Sequence, residues 1–238
     1  TLTLASATAA DAGDYTVVAS NSAGSVTSSA ATLAVYTPNP DARLANLSVR
    51  TAIGAADTLI VGLSVGGGSR NVLVRAVGPT LGVFGVGGAM TDPRLELYNG
   101  QTRTFANDDW PQSLSTVFPT VGAFDLASGS RDAAFLQAVD GTRSIWALGT
   151  GAGVVLVEAY DTGAPSAARL VNVSARNRVG TGDDILIAGF NISSATGGSK
   201  PLLIRAVGPG LAALGVSGTL ADPKLEIYDS KGVKVVEN

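Results

Sequence analysis

Short apolar runs, separated by glycine, proline and other turn-forming residues, recur along most of the chain. Between residues 42 and 163 these runs cover residues 44–49, 58–65, 72–77, 95–98, 102–105, 133–139, 144–148 and 154–160. Runs of this length that are rich in Val, Ile and Leu predict β-strands. Residues 95–97 alternate apolar and charged side chains, whereas residues 145–148 and 154–157 are apolar throughout, which is typical of strands buried on both faces. About eight such strands predict a β-sandwich.

The sequence also repeats itself over a long period. Residues 43–50, RLANLSVR, recur as residues 169–176, RLVNVSAR, and residues 75–98 are identical to residues 205–228 at more than half of their positions. This period is far longer than the roughly 20–50 residues of a solenoid unit, so it indicates tandem domains. We therefore predict a first complete β-sandwich repeat over residues 42–163 and a second, truncated repeat over residues 164–238.

Composition narrows the possible functions. Glycine supplies 30 of the 238 residues and aromatic residues only 5%, which fits many tight turns better than a helical bundle. Without cysteine or histidine, the chain has no disulfide, thiolate nucleophile, Cys/His zinc site or histidine base, and we do not expect an enzyme. The net charge is −3 and no basic run exceeds two residues, so nucleic acid is not an expected partner. The uncharged residues 76–91 and 206–221 are too short and broken to cross a membrane.

One row of oxygen-bearing side chains is a candidate metal site. Asn107, Asp108 and Asp109 are consecutive, and aspartates at positions 125, 132, 140 or 161 could converge on them to hold a hard cation such as Ca²⁺. The alternative is an Asx turn whose carboxylates are solvated. No cofactor other than weakly bound calcium is predicted.

Three further features of the sequence can be explained either by a structural role or by a functional one. Arg75 with Glu96, and Arg205 with Glu226, recur at matching positions, which predicts a cross-strand ion pair in each copy. The two tryptophans could form a platform for a sugar ring or fill the core. The glycine-rich residues 149–153 lie between two predicted strands, which favours a hairpin loop over a dinucleotide-binding loop.

Residues 1–36 contain no lysine or arginine and include the segment Asp11-Ala-Gly-Asp-Tyr15. The segment resembles the final third of an immunoglobulin-like domain of the intermediate type, comprising strands E, F and G. The resemblance implies that Tyr15 forms a tyrosine corner with the preceding chain. Val17 stands where disulfide-bonded members of that family have cysteine, so packing alone would hold this sandwich. Residues 37–41, TPNPD, predict a short and stiff linker.

Four segments of the repeat carry a second resemblance: residues 75–79 (RAVGP), 92–98 (DPRLELY), 107–110 (NDDW) and 155–161 (VLVEAYD). They resemble tandem β-rich repeats that follow immunoglobulin-like domains in very large secreted proteins of environmental Gram-negative bacteria. The portion from LELY to NDD is also similar to prepeptidase C-terminal domains, which are jelly-roll accessory modules of secreted enzymes. The predicted fold class is therefore all-β, with tandem β-sandwich or jelly-roll domains in series after a partial immunoglobulin-like sandwich.

The resemblances imply an extracellular or cell-surface location and a structural or adhesive role in a large bacterial surface protein. The alternative is a carbohydrate-binding accessory module of a secreted hydrolase, with surface glycans as partners. Strands A to D of the immunoglobulin-like domain and the last strands of the second repeat have no counterparts in this sequence, so each end is expected to expose unpaired backbone. We expect either adjoining domains of the same chain or other copies of the protein to cover these ends, and the second arrangement would build a filament.

Overall fold

The computed structural model describes residues 3–36, 39, 41–164, 166–182, 184–197 and 199–238. Its regular structure consists of β-strands and short 3-10 helices, so the predicted all-β class is confirmed. Three of the five residues of the predicted linker, at positions 37, 38 and 40, lie outside the described residues.

The N-terminal segment contains four short strands: β1 (Gly13–Tyr15), β2 (Val18–Asn21), β3 (Gly24–Thr27) and β4 (Ala31–Leu33). Strand β1 pairs with β4 and β2 pairs with β3, both antiparallel. The Tyr15 hydroxyl donates a hydrogen bond of 2.7 Å to the backbone oxygen of Asp11, the backward bond that a tyrosine corner makes. Val17 is 71% exposed, so its side chain packs into no core here.

Eight further strands form one large sheet, and a final pair forms a hairpin. The large sheet contains β5 (Arg43–Ile53), β6 (Leu59–Val77), β7 (Pro93–Asn99), β8 (Thr102–Asn107), β9 (Ala133–Gly149), β10 (Gly153–Asp161), β11 (Arg169–Arg176) and β12 (Ile187–Ser193), and the hairpin pairs β13 (Glu226–Tyr228) with β14 (Lys234–Glu237). All pairings between these strands are antiparallel.

Two of these strands are much longer than the apolar runs predicted. The predicted runs 58–65 and 72–77 fall in the single strand β6, which begins one residue later at Leu59, and residues 133–139 and 144–148 belong to the single strand β9. The glycines that suggested a break in β6 instead form an irregularity in its pairing with β9, between Val65 and Arg70. Gly67 has φ of +80°, a backbone conformation that glycine adopts without strain.

The two halves of β6 have different neighbours, and this closes the sheet into a barrel-like ring. The N-terminal half of β6 pairs with β11, its C-terminal half pairs with β10, and β10 pairs with β5. The ring closes where Leu170 of β11 faces Leu44 of β5. Strands β9, β7 and β8 continue the sheet outward from β6.

Strand β6 is buried on both faces along its C-terminal half. Val72, Val74 and Ala76 belong to the main apolar core, which also includes side chains of β5, β7, β9 and β10. Leu73 and Val77 point the other way into a second cluster, which the 3-10 helices Gln112–Thr116 and Phe118–Val121 cover. The alternation of side chains along a strand thus supplies two cores from one run of residues.

Candidate interface between the repeats

The first two strands of the second repeat lie in the sheet of the first repeat. Strand β12 pairs antiparallel with β5 over seven residue pairs, and β11 pairs antiparallel with β6 over another seven. By the sequence repeat, β11 corresponds to β5, and β12 corresponds to the N-terminal half of β6. Each repeat therefore pairs its first strand with the second strand of the other repeat. We call this arrangement the strand exchange.

The two halves of the strand exchange have the same register. Ser48 of β5 faces Gly189 of β12, and Ser174 of β11 faces Gly62 of β6. Each pairing also skips one residue at the same place in the repeat, at position 45 in β5 and at position 171 in β11. A one-residue shift would turn every side chain of a strand to the opposite face, so the shared register makes the two halves equivalent.

Close contacts between serine and glycine explain why both residue types recur. A Cβ atom added to Gly62 would stand 2.6 Å from Oγ of Ser174, and one added to Gly189 would stand 2.7 Å from Oγ of Ser48. Any larger side chain at either glycine would force the facing serine to move. Sequence reasoning did not single out these four residues, although the recurrence of the serine and the glycine in both copies was a usable signal.

The strand exchange also bears on the predicted domain boundaries. The predicted end of the first repeat, residue 163, falls inside the sheet, which continues through Ser193 of β12. The sheet extends past residue 163 because β5 and the N-terminal half of β6 each have a second edge that can pair. Strand β12 pairs with this edge of β5, and β11 pairs with this edge of β6.

Arg75 on β6 is a fully buried charge of the first repeat, with an exposure of 0%. Its Nε donates to Oε2 of Glu158 at 2.9 Å, and its Nη1 donates to the backbone oxygen of Phe124 at 2.5 Å. The guanidinium also lies 4.4 Å from the ring centroid of Phe124 and 4.9 Å from that of Phe118. The partner expected from the sequence, Glu96, was wrong, because β10 and not β7 lies beside this part of β6.

Two acidic side chains, Glu158 beside Arg75 and Glu96 on β7, belong to separate hydrogen-bond networks. Glu158 accepts a bond of 2.7 Å from the Tyr160 hydroxyl, and burial, reinforced by the charge of Glu158, raises the pKa of Tyr160 well above its ordinary value. The expected partner Glu96 instead accepts bonds of 2.7 Å from Tyr98 and 2.8 Å from Arg103. Burial alone would raise the pKa of Glu96, but these bonds and the nearby positive charges lower it overall.

Asp132, which the sequence suggested only as a calcium ligand, is buried and holds a turn in place through hydrogen bonds. Asp132 accepts hydrogen bonds from the backbone N–H groups of Gly78 (2.7 Å) and Thr80 (3.3 Å) and from the hydroxyl groups of Thr80 and Ser130. It thereby fixes the turn that begins the 3-10 helix Pro79–Phe84.

The candidate calcium residues lie at the end of β8 and just after it. The Asn107 side chain donates to the backbone oxygen of Asp109 at 2.9 Å, and its Oδ1 accepts from the N–H of Ala134 at 2.9 Å. Asp108 and Asp109 are exposed. Among the residues that the structure describes, no group of three or more acidic side chains is placed to hold a metal ion. Calcium binding at Asn107, Asp108 and Asp109 stays a prediction.

The two tryptophans occupy different environments. Trp110 is 7% exposed, packs against Phe118 with ring centroids 5.5 Å apart, and donates its ring N–H to Ser130. Trp146 stacks on Tyr98 with ring centroids 4.4 Å apart. One edge of Trp110 borders a surface depression of about 390 Å³, whose lining includes Gln112 and Asp125.

Searches against known protein families, curated proteins and solved structures find no match to this chain. Within the described residues, no helix combines the length and the apolar character needed to span a bilayer.

Proposed function

We propose that this chain is a structural or adhesive segment of a large extracellular bacterial surface protein. In this proposal an immunoglobulin-like domain precedes β-sandwich repeats in tandem. The observation that supports it best is the strand exchange, with its two equivalent halves of seven residue pairs each. A flexible linker transmits force only through one extended chain, whereas exchanged strands join neighbouring repeats through rows of backbone hydrogen bonds.

The strand exchange suits a load-bearing role because neither repeat can separate while its partner stays folded. Pulling β12 away from β5 uncovers the outer edge of β5, and pulling β11 away from β6 opens the ring at its closing contact between Leu170 and Leu44. Each separation breaks a ladder of seven residue pairs and would expose unpaired backbone groups to water or to other chains. The two repeats are thus expected to resist force as one unit.

Single-molecule force spectroscopy on the full chain, held at its two ends, tests this proposal. The 151 residues from Arg43 to Ser193 extend to roughly 500 Å at about 3.4 Å per residue. We expect one rupture that releases this length. A first repeat that unfolds alone would release roughly 400 Å from residues 43–161. Two separate ruptures, or a rupture of the shorter length, would count against a load-bearing segment.

The depression beside Trp110 favours a second candidate function, carbohydrate binding. The depression brings the amide of Gln112 and the carboxylate of Asp125 beside aromatic rings, and such groups can bond the hydroxyl groups of a sugar whose apolar side contacts the rings. A glycan array with the full chain tests this candidate, with Asp125→Ala as the variant. Binding that the variant loses would support it, and an array without signal would exclude it.

A further inference from the structure

Residues 201–228 repeat the sequence of residues 71–98 closely, yet the strand positions at the start of the two segments differ strongly in burial. Leu73 is fully buried, whereas its counterpart Leu203 is 87% exposed. Val77 is fully buried, whereas Val207 is 45% exposed. We call residues 201–228 the open face of the second repeat.

The first repeat shows what covers such a face. Leu73 is flanked in the sheet by Leu136 of β9 on one side and by Tyr160 of β10 on the other. Arg75 is flanked in the same way by Ala134 and Glu158. The cover is thus two strands, one on each side of β6 and each antiparallel to it, of which β10 carries the glutamate for the arginine. None of the described strands pairs with residues 201–207.

The open face already has the local structure of its covered counterpart. The 3-10 helix Pro209–Leu214 matches the 3-10 helix Pro79–Phe84, and each ends at a glycine with nearly the same positive φ, +79° at Gly215 and +75° at Gly85. A Cβ atom on Gly208 would stand 2.0 Å from the backbone oxygen of Leu220. The corresponding distance from Gly78 to Met90 is 2.2 Å. Binding a partner would therefore require little rearrangement of this turn.

Within the part of the chain that the structure describes, the polar groups of the open face lack the carboxylate partners that their counterparts in the first repeat have. Arg205, the counterpart of Arg75, is exposed and makes no ion pair with any residue that the structure describes. The backbone N–H of Gly208 corresponds to that of Gly78, which donates to the buried carboxylate of Asp132. A covering segment that buries this face must bring a carboxylate to Arg205, because an unpaired buried guanidinium is costly.

We propose that the open face binds a two-stranded segment with the chemistry of residues 108–161, with one strand on each side of residues 201–207. Its glutamate, at the position of Glu158, pairs with Arg205, and its aspartate, at the position of Asp132, accepts the N–H of Gly208. Its apolar residues cover Leu203 and Val207. This inference concerns the surface itself and holds whether the protein is structural or binds carbohydrate.

Titration of the full chain with a polypeptide of residues 108–163 tests this proposal. We expect saturable binding by calorimetry, with slower hydrogen exchange of the backbone amides at residues 201–207. Arg205→Glu in the full chain should weaken binding at least tenfold, and a probe carrying Glu158→Lys should restore it. Arg131→Ala, which alters an exposed arginine outside the open face, is the matched control and should leave binding unchanged.

A second measurement keeps the test decisive if the isolated probe aggregates. Residues 108–163 are appended directly after Asn238, and Leu203→Ala is introduced with and without this extension. We expect the substitution to lower the melting temperature only in the extended chain. No saturable binding together with no effect of the extension would overturn the proposal. Protection of residues 201–207 by self-association without the probe would also overturn it, because the occupant would then be a second copy.

Discussion

Leu73 and Leu203 offer a matched pair of substitutions, since both lie two residues before the same Arg-Ala-Val-Gly-Pro sequence. Leu73 is fully buried among Tyr160, Ala134 and their neighbours. Removing three methyl or methylene carbons from such a site costs about 2–5 kcal/mol, and the cost rises when the surroundings cannot collapse. Strands on both sides of Leu73 hold the backbone in place, so we expect Leu73→Ala to cost about 3–5 kcal/mol.

Leu203→Ala should behave differently because its side chain is 87% exposed. Surface substitutions usually change the free energy of unfolding by less than about 0.5 kcal/mol. For a unit of this size about 1 kcal/mol corresponds to roughly 2–4 °C in melting temperature. Leu73→Ala should thus lower the melting temperature by roughly 6–20 °C, and Leu203→Ala should lower it by no more than roughly 2 °C.

Urea denaturation and calorimetry of both variants at one protein concentration measure these differences. Equal losses in the two variants would mean that Leu203 is covered in solution, and the description of an open face would then be wrong. A loss below about 1 kcal/mol for Leu73→Ala, well under the usual range for a buried leucine, would refute the reasoning from burial itself.

Three further outcomes are expected. Gly62→Cys with Ser174→Cys should form a disulfide between the repeats, because the Cβ atoms would stand 4.0 Å apart, within the usual range; a non-reducing gel reports it. Glu158→Gln should cost about 3–5 kcal/mol in urea denaturation, because the buried Arg75 loses its counter-charge. The pKa of Glu96 in the folded protein lies below its ordinary value of 4.5. Its carboxylate therefore stabilises the fold above pH 4.5, and this stabilisation is lost as the pH falls. Glu96→Gln should reduce the loss of stability in acid.

Each of these outcomes has a control and a contradicting result. A single Gly62→Cys variant should run unchanged on the gel, and the absence of a crosslink in the double variant would argue against the strand exchange. Arg131→Ala breaks an exposed pair with Asp92 and should cost less than about 1 kcal/mol; an equal cost for Glu158→Gln would contradict the burial argument. Wild-type and Glu96→Gln proteins with identical pH profiles would show that Glu96 does not contribute.

The sequence pattern located most strands, but it could not assign their partners. Apolar runs marked the strands of the first repeat because alternation and burial leave a local trace. The pairing of β5 with β12 left no such trace, since the partners are far apart in sequence and both repeats offer nearly the same strands. The sequence also could not show that Arg75 pairs with Glu158 and not with Glu96, because this depends on which strand lies beside β6. The Asp11–Tyr15 segment was easier, since its hydrogen bond is local.

The strand exchange has a consequence for the order in which the chain folds. Arg50 of β5 pairs with Ile187 of β12, so β5 waits for more than a hundred later residues to be synthesised before its ladder is complete. Contacts between residues so distant in sequence slow folding, because the entropy of closing a long loop is lost before the contact stabilises anything. The nascent chain therefore stays incompletely folded until β12 has emerged. We therefore expect the four strands of the strand exchange to reach their native pairing together.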